Sequence, residues 1–206
     1  MTELPPKRKP GRPKAEGSSQ TMLQIMRTAA YLFMEHGFEK VSLEGVAQAC
    51  GVTKASVYYY FSNKGQLFTE SVLFVLSIAL EQTRKIMDGP EPLQERLLKV
   101  AVGHMANAHV DFETMMREAS AGLSEEQIIR IRKAENALNQ LLEDVFRQAI
   151  AAGEIAEANP RLLAHAYTAV MTVRNRKEIV SDKESLQQAA EDIIQLFWNG
   201  LAPRKP

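Results

Sequence analysis

A single cysteine, Cys50, leaves the chain without any possible intramolecular disulfide. Its stability must come from packing, and one thiol suits a reducing compartment. No uninterrupted apolar run approaches the roughly 18 residues that a membrane-spanning helix needs. No apolar segment follows the basic N-terminus, as a secretory signal would require. Net charge is missing as well: 25 Lys and Arg stand against 25 Asp and Glu, so overall composition gives no reason to expect nucleic acid. Nucleophile motifs, phosphate-cradling glycine loops and paired carboxylates at catalytic spacing are lacking, which argues against an enzyme and against a cofactor. Convincing period-2 alternation and internal repeats are lacking too. The expectation is a cytoplasmic, soluble chain with no membrane partner.

What is present is a full apolar complement. With 206 residues, 45% hydrophobic and 24% charged, the chain can bury a real core as one large or two small domains. Charge is balanced globally but not locally. The stretch "KRKPGRPK" holds Lys7, Arg8, Lys9, Arg12 and Lys14 without an acid. Residues 1–17, rich in Pro, Lys, Arg and Gly, read as a basic disordered arm on a neutral body.

Beyond the arm the pattern is helical throughout, and the predicted fold is all-α with about nine helices. Ile25, Met26, Ala29, Leu32 and Phe33 recur at helical spacing from Thr21 to His36, with Ser18 and Ser19 as candidate caps. Ser42 caps a short helix stopped by Gly51, and Thr53 caps another. A long helix begins at Ser62 or Asn63 and runs to about Met87, where "DGPEP" breaks it. Further helices are predicted over 93–109, near 112–121, and from Ser124 to Ala152 behind a Ser124–Gln127 capping box. The next follows Asn159 and Pro160 through "RLLAHAYTAVMTVRNRK", and the last starts near Lys183 or Ser185 and ends at Gly200.

Three short helices within 21–61, the last two joined at Gly51-Val52, have the form of a helix-turn-helix, whose final helix enters the DNA major groove. Small or polar residues open that helix: Thr53, Lys54, Ala55 and Ser56. They allow close approach to base edges. Val57 and Phe61 share one face four residues apart and should pack inward on Phe33, Val46 and Ala47. Tyr58 and Tyr59 project outward, where phenol groups suit phosphate oxygens. Tyr60 sits at the boundary, either part-buried or on phosphate. Lys64 places a cation beside helix N-terminal N–H groups, and both attract phosphate.

Over residues 20–68 the chain resembles the DNA-binding domain of the TetR/AcrR transcriptional regulators. The resemblance rests on Ile25, Ala29, Phe33, Gly37, Phe38, Ser42, Val46, Ala47, Gly51, Val52, Tyr58, Tyr60, Phe61, Lys64 and Leu67. It implies a DNA-binding domain over 18–66 and an effector-binding and dimerisation domain over 67–206. It also implies DNA contacts from Ser42, Leu43 and Glu44, from the helix opened by Thr53, and from Lys64. The sequence departs from the family where a histidine is common and Tyr59 stands. Glu44 is a second unusual feature, an acid near the groove whose direct role is reduced unless it reads a cytosine.

Other features carry less. Gly-Arg-Pro between basic residues resembles an AT-hook core, which lies in a narrow A·T minor groove; a solvated tail that raises nonspecific affinity is the alternative. Cys50 reads as a small buried apolar residue. His104, His109, Asp111 and Glu113 are spaced poorly for one helical face and read as hydrogen-bonded or solvated, not as metal ligands. Met105, Phe112, Met115, Met116, Tyr167 and Met171 either line an adaptable effector cavity or form ordinary core, with Arg174 facing an anionic ligand or a dimer-interface carboxylate.

The last two long helices carry broad apolar faces, including Leu162, Leu163 and Val170, then Ile193, Leu196 and Phe197. The resemblance makes these the homodimer interface, which would set two recognition helices on a pseudo-palindrome. The resulting expectation is a sequence-specific, dimeric, effector-responsive repressor of double-stranded DNA. An activator, an effector-independent regulator and an architectural binder that relies on its arm are the alternatives.

Overall fold

The computed structural model describes residues 14–107, 112–176 and 178–201. The arm residues Lys7, Arg8, Lys9 and Arg12, and also His109 and Asp111, lie outside them. Lys14 opens the first helix, but its side chain is not among those described.

Among the described residues there are nine α-helices and no strand. They are α1 (Lys14–His36), α2 (Leu43–Cys50), α3 (Lys54–Tyr60), α4 (Lys64–Met87), α5 (Leu93–Asn107), α6 (Phe112–Ala119), α7 (Glu125–Ala151), α8 (Pro160–Val170) and α9 (Lys183–Leu201). Short 3₁₀ turns follow α6 at Ser120–Gly122 and α8 at Met171–Asn175.

Most ends form where the sequence places them. Ser42, Thr53 and Asn63 each accept a backbone N–H from three residues on, at 3.0, 3.1 and 2.8 Å. Ser124 and Gln127 close a complete capping box at 3.2 and 2.8 Å, satisfying two otherwise orphaned donors. Gly51 ends α2 in the left-handed region at φ 67°. No atom stands within 4 Å of where its Cβ would be, so backbone conformation, not space, calls for glycine there.

Two ends differ from expectation. α1 begins at Lys14, so Ser18 and Ser19 lie inside the helix and do not cap it; Lys14, Ala15 and Glu16 are good helix formers and carry it upstream. α8 stops at Val170, well short of the basic "RNRK". Thr168 Oγ1 donates back to the Ala164 and His165 carbonyls, and Thr172 Oγ1 to that of Ala169. This competition, in a run with two β-branched valines, tightens the helix into a 3₁₀ turn.

Two apolar cores form. The first gathers Ile25, Ala29 and Phe33 of α1, Val46 of α2, Val57 of α3 and Leu67, Phe68 and Val72 of α4. Phe33 and Phe38 each meet Phe68 edge-on, with centroids at 5.0 and 5.1 Å, a favoured arrangement for the ring quadrupoles. The second core gathers Leu97 and Met105 of α5, Leu142 and Phe146 of α7, Tyr167 of α8 and Ile194 of α9. α4 and α7 pack along each other and serve both cores. α4 sends Phe68 to the first and Met87 to the second, while α7 sends Ile131 to the first and Phe146 to the second.

α6 belongs with the first core. Met115, Met116 and Ala119 are buried there, and Arg132 of α7 grips Glu113 with two hydrogen bonds of 2.6 and 2.7 Å. The seven candidate effector residues are therefore divided, not gathered in one cavity. Phe112, Met115 and Met116 pack toward the first core. Met105, Tyr167 and Met171 pack in the second, and Arg174 is half-buried beside them on the 3₁₀ turn. The division arises because α6 presents its methionines to the α1–α4 bundle, away from α8. Tyr167 is fully enclosed and donates its hydroxyl to the Leu97 carbonyl at 2.6 Å; burial raises its pKa well above the ordinary phenol range.

Candidate nucleic-acid interface

The turn Gly51-Val52-Thr53 sets α3 across α2 and divides its side chains. Val57 and Phe61 are buried at 0% and 2% exposure, while Tyr58 and Tyr59 are 43% and 79% exposed. Tyr60 is half-buried, with its ring edge-on to Tyr59 at 4.9 Å. Burying Val57 stabilises by about 1.5–3 kcal/mol relative to exposure, so the inward face fixes the rotation of α3 and thereby points the tyrosines out. Thr21 of α1 joins Ala55, Ser56, Tyr59 and Tyr60 around a shallow concavity along this face.

The first turn of α3 presents hydroxyls. Thr53 Oγ1 accepts the Ser56 N–H at 3.1 Å and lies 2.8 Å from Ser56 Oγ, so capping employs part of its capacity and leaves hydroxyl groups at the surface. Ser42 does the same work for α2. Leu43, placed among the contacts by resemblance, is buried at 5% exposure and packs in the first core.

Two charged residues have partners that spacing did not reveal. Lys54 Nζ forms an ion pair with Glu44 Oε1 across the α2–α3 crossing, with both side chains exposed. The same ammonium lies 5.5 Å from the Tyr58 ring centroid. Lys54 holds the Glu44 carboxyl below its ordinary range, with a lesser contribution from Tyr58, and Glu44 in turn raises Lys54. Lys64, at the first position of α4, donates to the Glu39 carbonyl at 3.1 Å and lies 4.3 Å from the Phe38 ring centroid. Its ammonium is thereby aimed across the start of α4 instead of swinging free, and one of its three N–H groups is committed. The sequence marked Phe38 only as part of a family pattern, and nothing in it marked Glu39.

Cys50 is buried, as expected of a small apolar residue. Gln24 of α1 donates to the Cys50 carbonyl at 3.0 Å, which ties α1 to the end of α2. Among the described residues no His, Cys, Asp and Glu group could hold a metal, and no helix is long and apolar enough to cross a membrane.

Residues 25–70 match the family described as bacterial regulatory proteins, tetR family. The chain is 35% identical over 94 residues to the probable acrEF/envCD operon repressor of Escherichia coli, covering 45% of this chain and 42% of that protein. The match thus spans well under half the length of that relative. Among solved structures, reduced NemR of Escherichia coli superposes with a TM-score of 0.72 at 16% identity, covering 91% of this chain and 100% of that one. FadR of Bacillus subtilis, solved with stearoyl-CoA, superposes at 0.70 and 18% identity, covering 86% and 98%. At such identities these two show a common fold. The matched family is one of regulatory proteins, the Escherichia coli relative is described as an operon repressor, and FadR as a transcriptional regulator.

Proposed function

We propose that this chain, which belongs to the TetR/AcrR family of transcriptional regulators, binds double-stranded DNA as a homodimer and represses transcription until a small-molecule effector releases it. One observation carries the reading: α3 buries Val57 and Phe61 and turns Thr53, Lys54, Tyr58 and Tyr59 outward, with Glu44 of α2 against Lys54, while Lys64 opens the next helix. That arrangement supports a recognition helix in the major groove, with Tyr58, Tyr59 and Lys64 on phosphates and Ser56, Lys54 and Glu44 toward base edges.

Dimerisation is supported by exposed leucines on the two C-terminal helices, Leu162 at 64% on α8 and Leu196 at 77% on α9. A two-fold axis there would set two copies of α3 about 34 Å apart on a pseudo-palindrome. The effector would act by shifting the population toward a dimer that no longer fits this spacing. Its site is assigned to the second core around Met105, Tyr167 and Met171, with Arg174 at the edge as the polar group. The cytoplasm, where DNA and small metabolites meet, is the proposed place of action.

Selection of bound fragments from randomised duplex DNA, followed by anisotropy titration with and without effector candidates, tests the reading. A two-fold symmetric motif bound by a dimer supports it; affinity without sequence preference would refute it. The Gly-Arg-Pro arm supports a second reading as an architectural binder. Removing residues 1–13 decides between the two, because an architectural binder would lose its selectivity while α1–α4 stayed folded.

A further inference from the structure

Glu44 and Lys54 cross between two helices to form one exposed unit, an acceptor and a donor side by side at the front of α3. Ser42 and Thr53, the caps of α2 and α3, fix the two backbones that carry them. Only part of each group is used by the pair. Lys54 has three N–H donors, of which the contact to Glu44 occupies one; Glu44 has two oxygens with about four acceptor sites between them. The Glu44 backbone N–H and Tyr58 also engage the carboxylate, so what remains is two ammonium donors next to the carboxylate's leftover acceptor sites.

That pattern has a natural complement in the major groove. A guanine shows two acceptors there, O6 and N7, and its paired cytosine shows one donor, N4. O6 and N4 hydrogen-bond each other within the base pair, so they lie about 2.9 Å apart. A lysine and a carboxylate in direct contact have the same spacing. A T·A pair offers the same neighbours, the thymine O4 acceptor and the adenine N6 donor, but its purine N7 acceptor then lies on the carboxylate's side and the thymine methyl on the ammonium's side, so the second donor of Lys54 finds no acceptor. Phosphate suits the unit poorly, because the carboxylate cancels the charge of the lysine.

Resting on the DNA-binding reading above, we infer that Glu44 and Lys54 act together as a specificity element that reads one guanine–cytosine base pair in each operator half-site, Lys54 on guanine O6 and N7 and Glu44 on cytosine N4. The pair forms before binding, so neither side chain must be ordered at the encounter, and Tyr58 beneath Lys54 keeps the ammonium in place.

Duplex selection with the full chain tests this. The wild-type chain should enrich an invariant G·C pair at one position of each half-site. Replacing it by A·T should weaken binding about 5- to 150-fold. Lys54→Gln should move the selected base toward adenine, the usual bidentate partner of glutamine, and Glu44→Gln should narrow the G·C preference. Both side chains are exposed, so unchanged circular dichroism is expected for each variant. Lys54→Gln should also leave the salt slope of a fixed duplex unchanged; a slope lower by about one unit would place Lys54 on phosphate and overturn the inference. A wild-type motif without an invariant G·C pair, or an unchanged base in Lys54→Gln, would overturn the inference while leaving the regulator reading intact. If the wild-type chain selects no motif, both fail.

Discussion

Gly122 lies flat against Phe38: a Cβ added at Gly122 would stand 2.8 Å from Cε1 and Cζ of that ring. The same ring lies 4.3 Å from the Lys64 ammonium. Nearby, a Cβ on Gly65 would come within 2.5 Å of the Gly122 carbonyl oxygen. The 3₁₀ turn after α6 therefore rests directly on the part of the first core that aims Lys64.

Gly122→Ala should displace the Phe38 ring, which is buried and cannot move without repacking. Overpacking of this kind costs about 1–3 kcal/mol. The expected result is a lower urea midpoint together with weaker binding of a fixed duplex, since Lys64 loses its support. A stability loss with unchanged affinity would separate the ring from the lysine.

Lys64→Ala should weaken binding by a similar factor on every duplex and lower the salt slope by about 0.9, the contribution of one phosphate contact. Tyr58→Phe should also weaken binding across sequences, with the slope unchanged because no charge is lost. Anisotropy titrations between low and moderate salt measure both.

Leu196→Glu should give monomers. Leu196 is 77% exposed, so the substitution costs the isolated fold little, while a carboxylate in an apolar interface is strongly unfavourable. Sedimentation equilibrium should report half the wild-type mass, and affinity for a two-fold operator should fall far more than affinity for one half-site.

His104 of α5 faces Thr83 of α4, with Nε2 3.4 Å from Oγ1. Burial pushes its imidazole below the ordinary 6.5. On folding the group therefore gives up protons. Its contribution is fully retained above about pH 6.5 and declines as pH falls toward the depressed folded value, at no more than about 1.4 kcal/mol per unit. Urea midpoints at pH 7.5 and 5.5 should differ more for the wild type than for His104→Gln.

Local codes were legible in the sequence because they depend on neighbours along the chain. The Ser124–Gln127 box, the left-handed Gly51 and the inward pairing of Val57 with Phe61 each involve residues within one or two turns. The Glu44–Lys54 pair was not legible, because it depends on the angle at which α2 and α3 cross. The methionines of α6 show the same limit. Their spacing identifies an apolar face, but not which core that face joins. Only the placement of α6 against α1 and α4 assigns Met115 and Met116 to the first core and removes them from the company of Tyr167.

α4 and α7 each bury side chains in both cores, so neither half of the molecule owns its framework. Amides near the middle of these helices cannot become accessible through the opening of one half alone, because the other half holds the same rods. Deuterium exchange at the centres of α4 and α7 should accordingly report one shared opening free energy, close to that of global unfolding, while α2 and α3 exchange through smaller openings of their own.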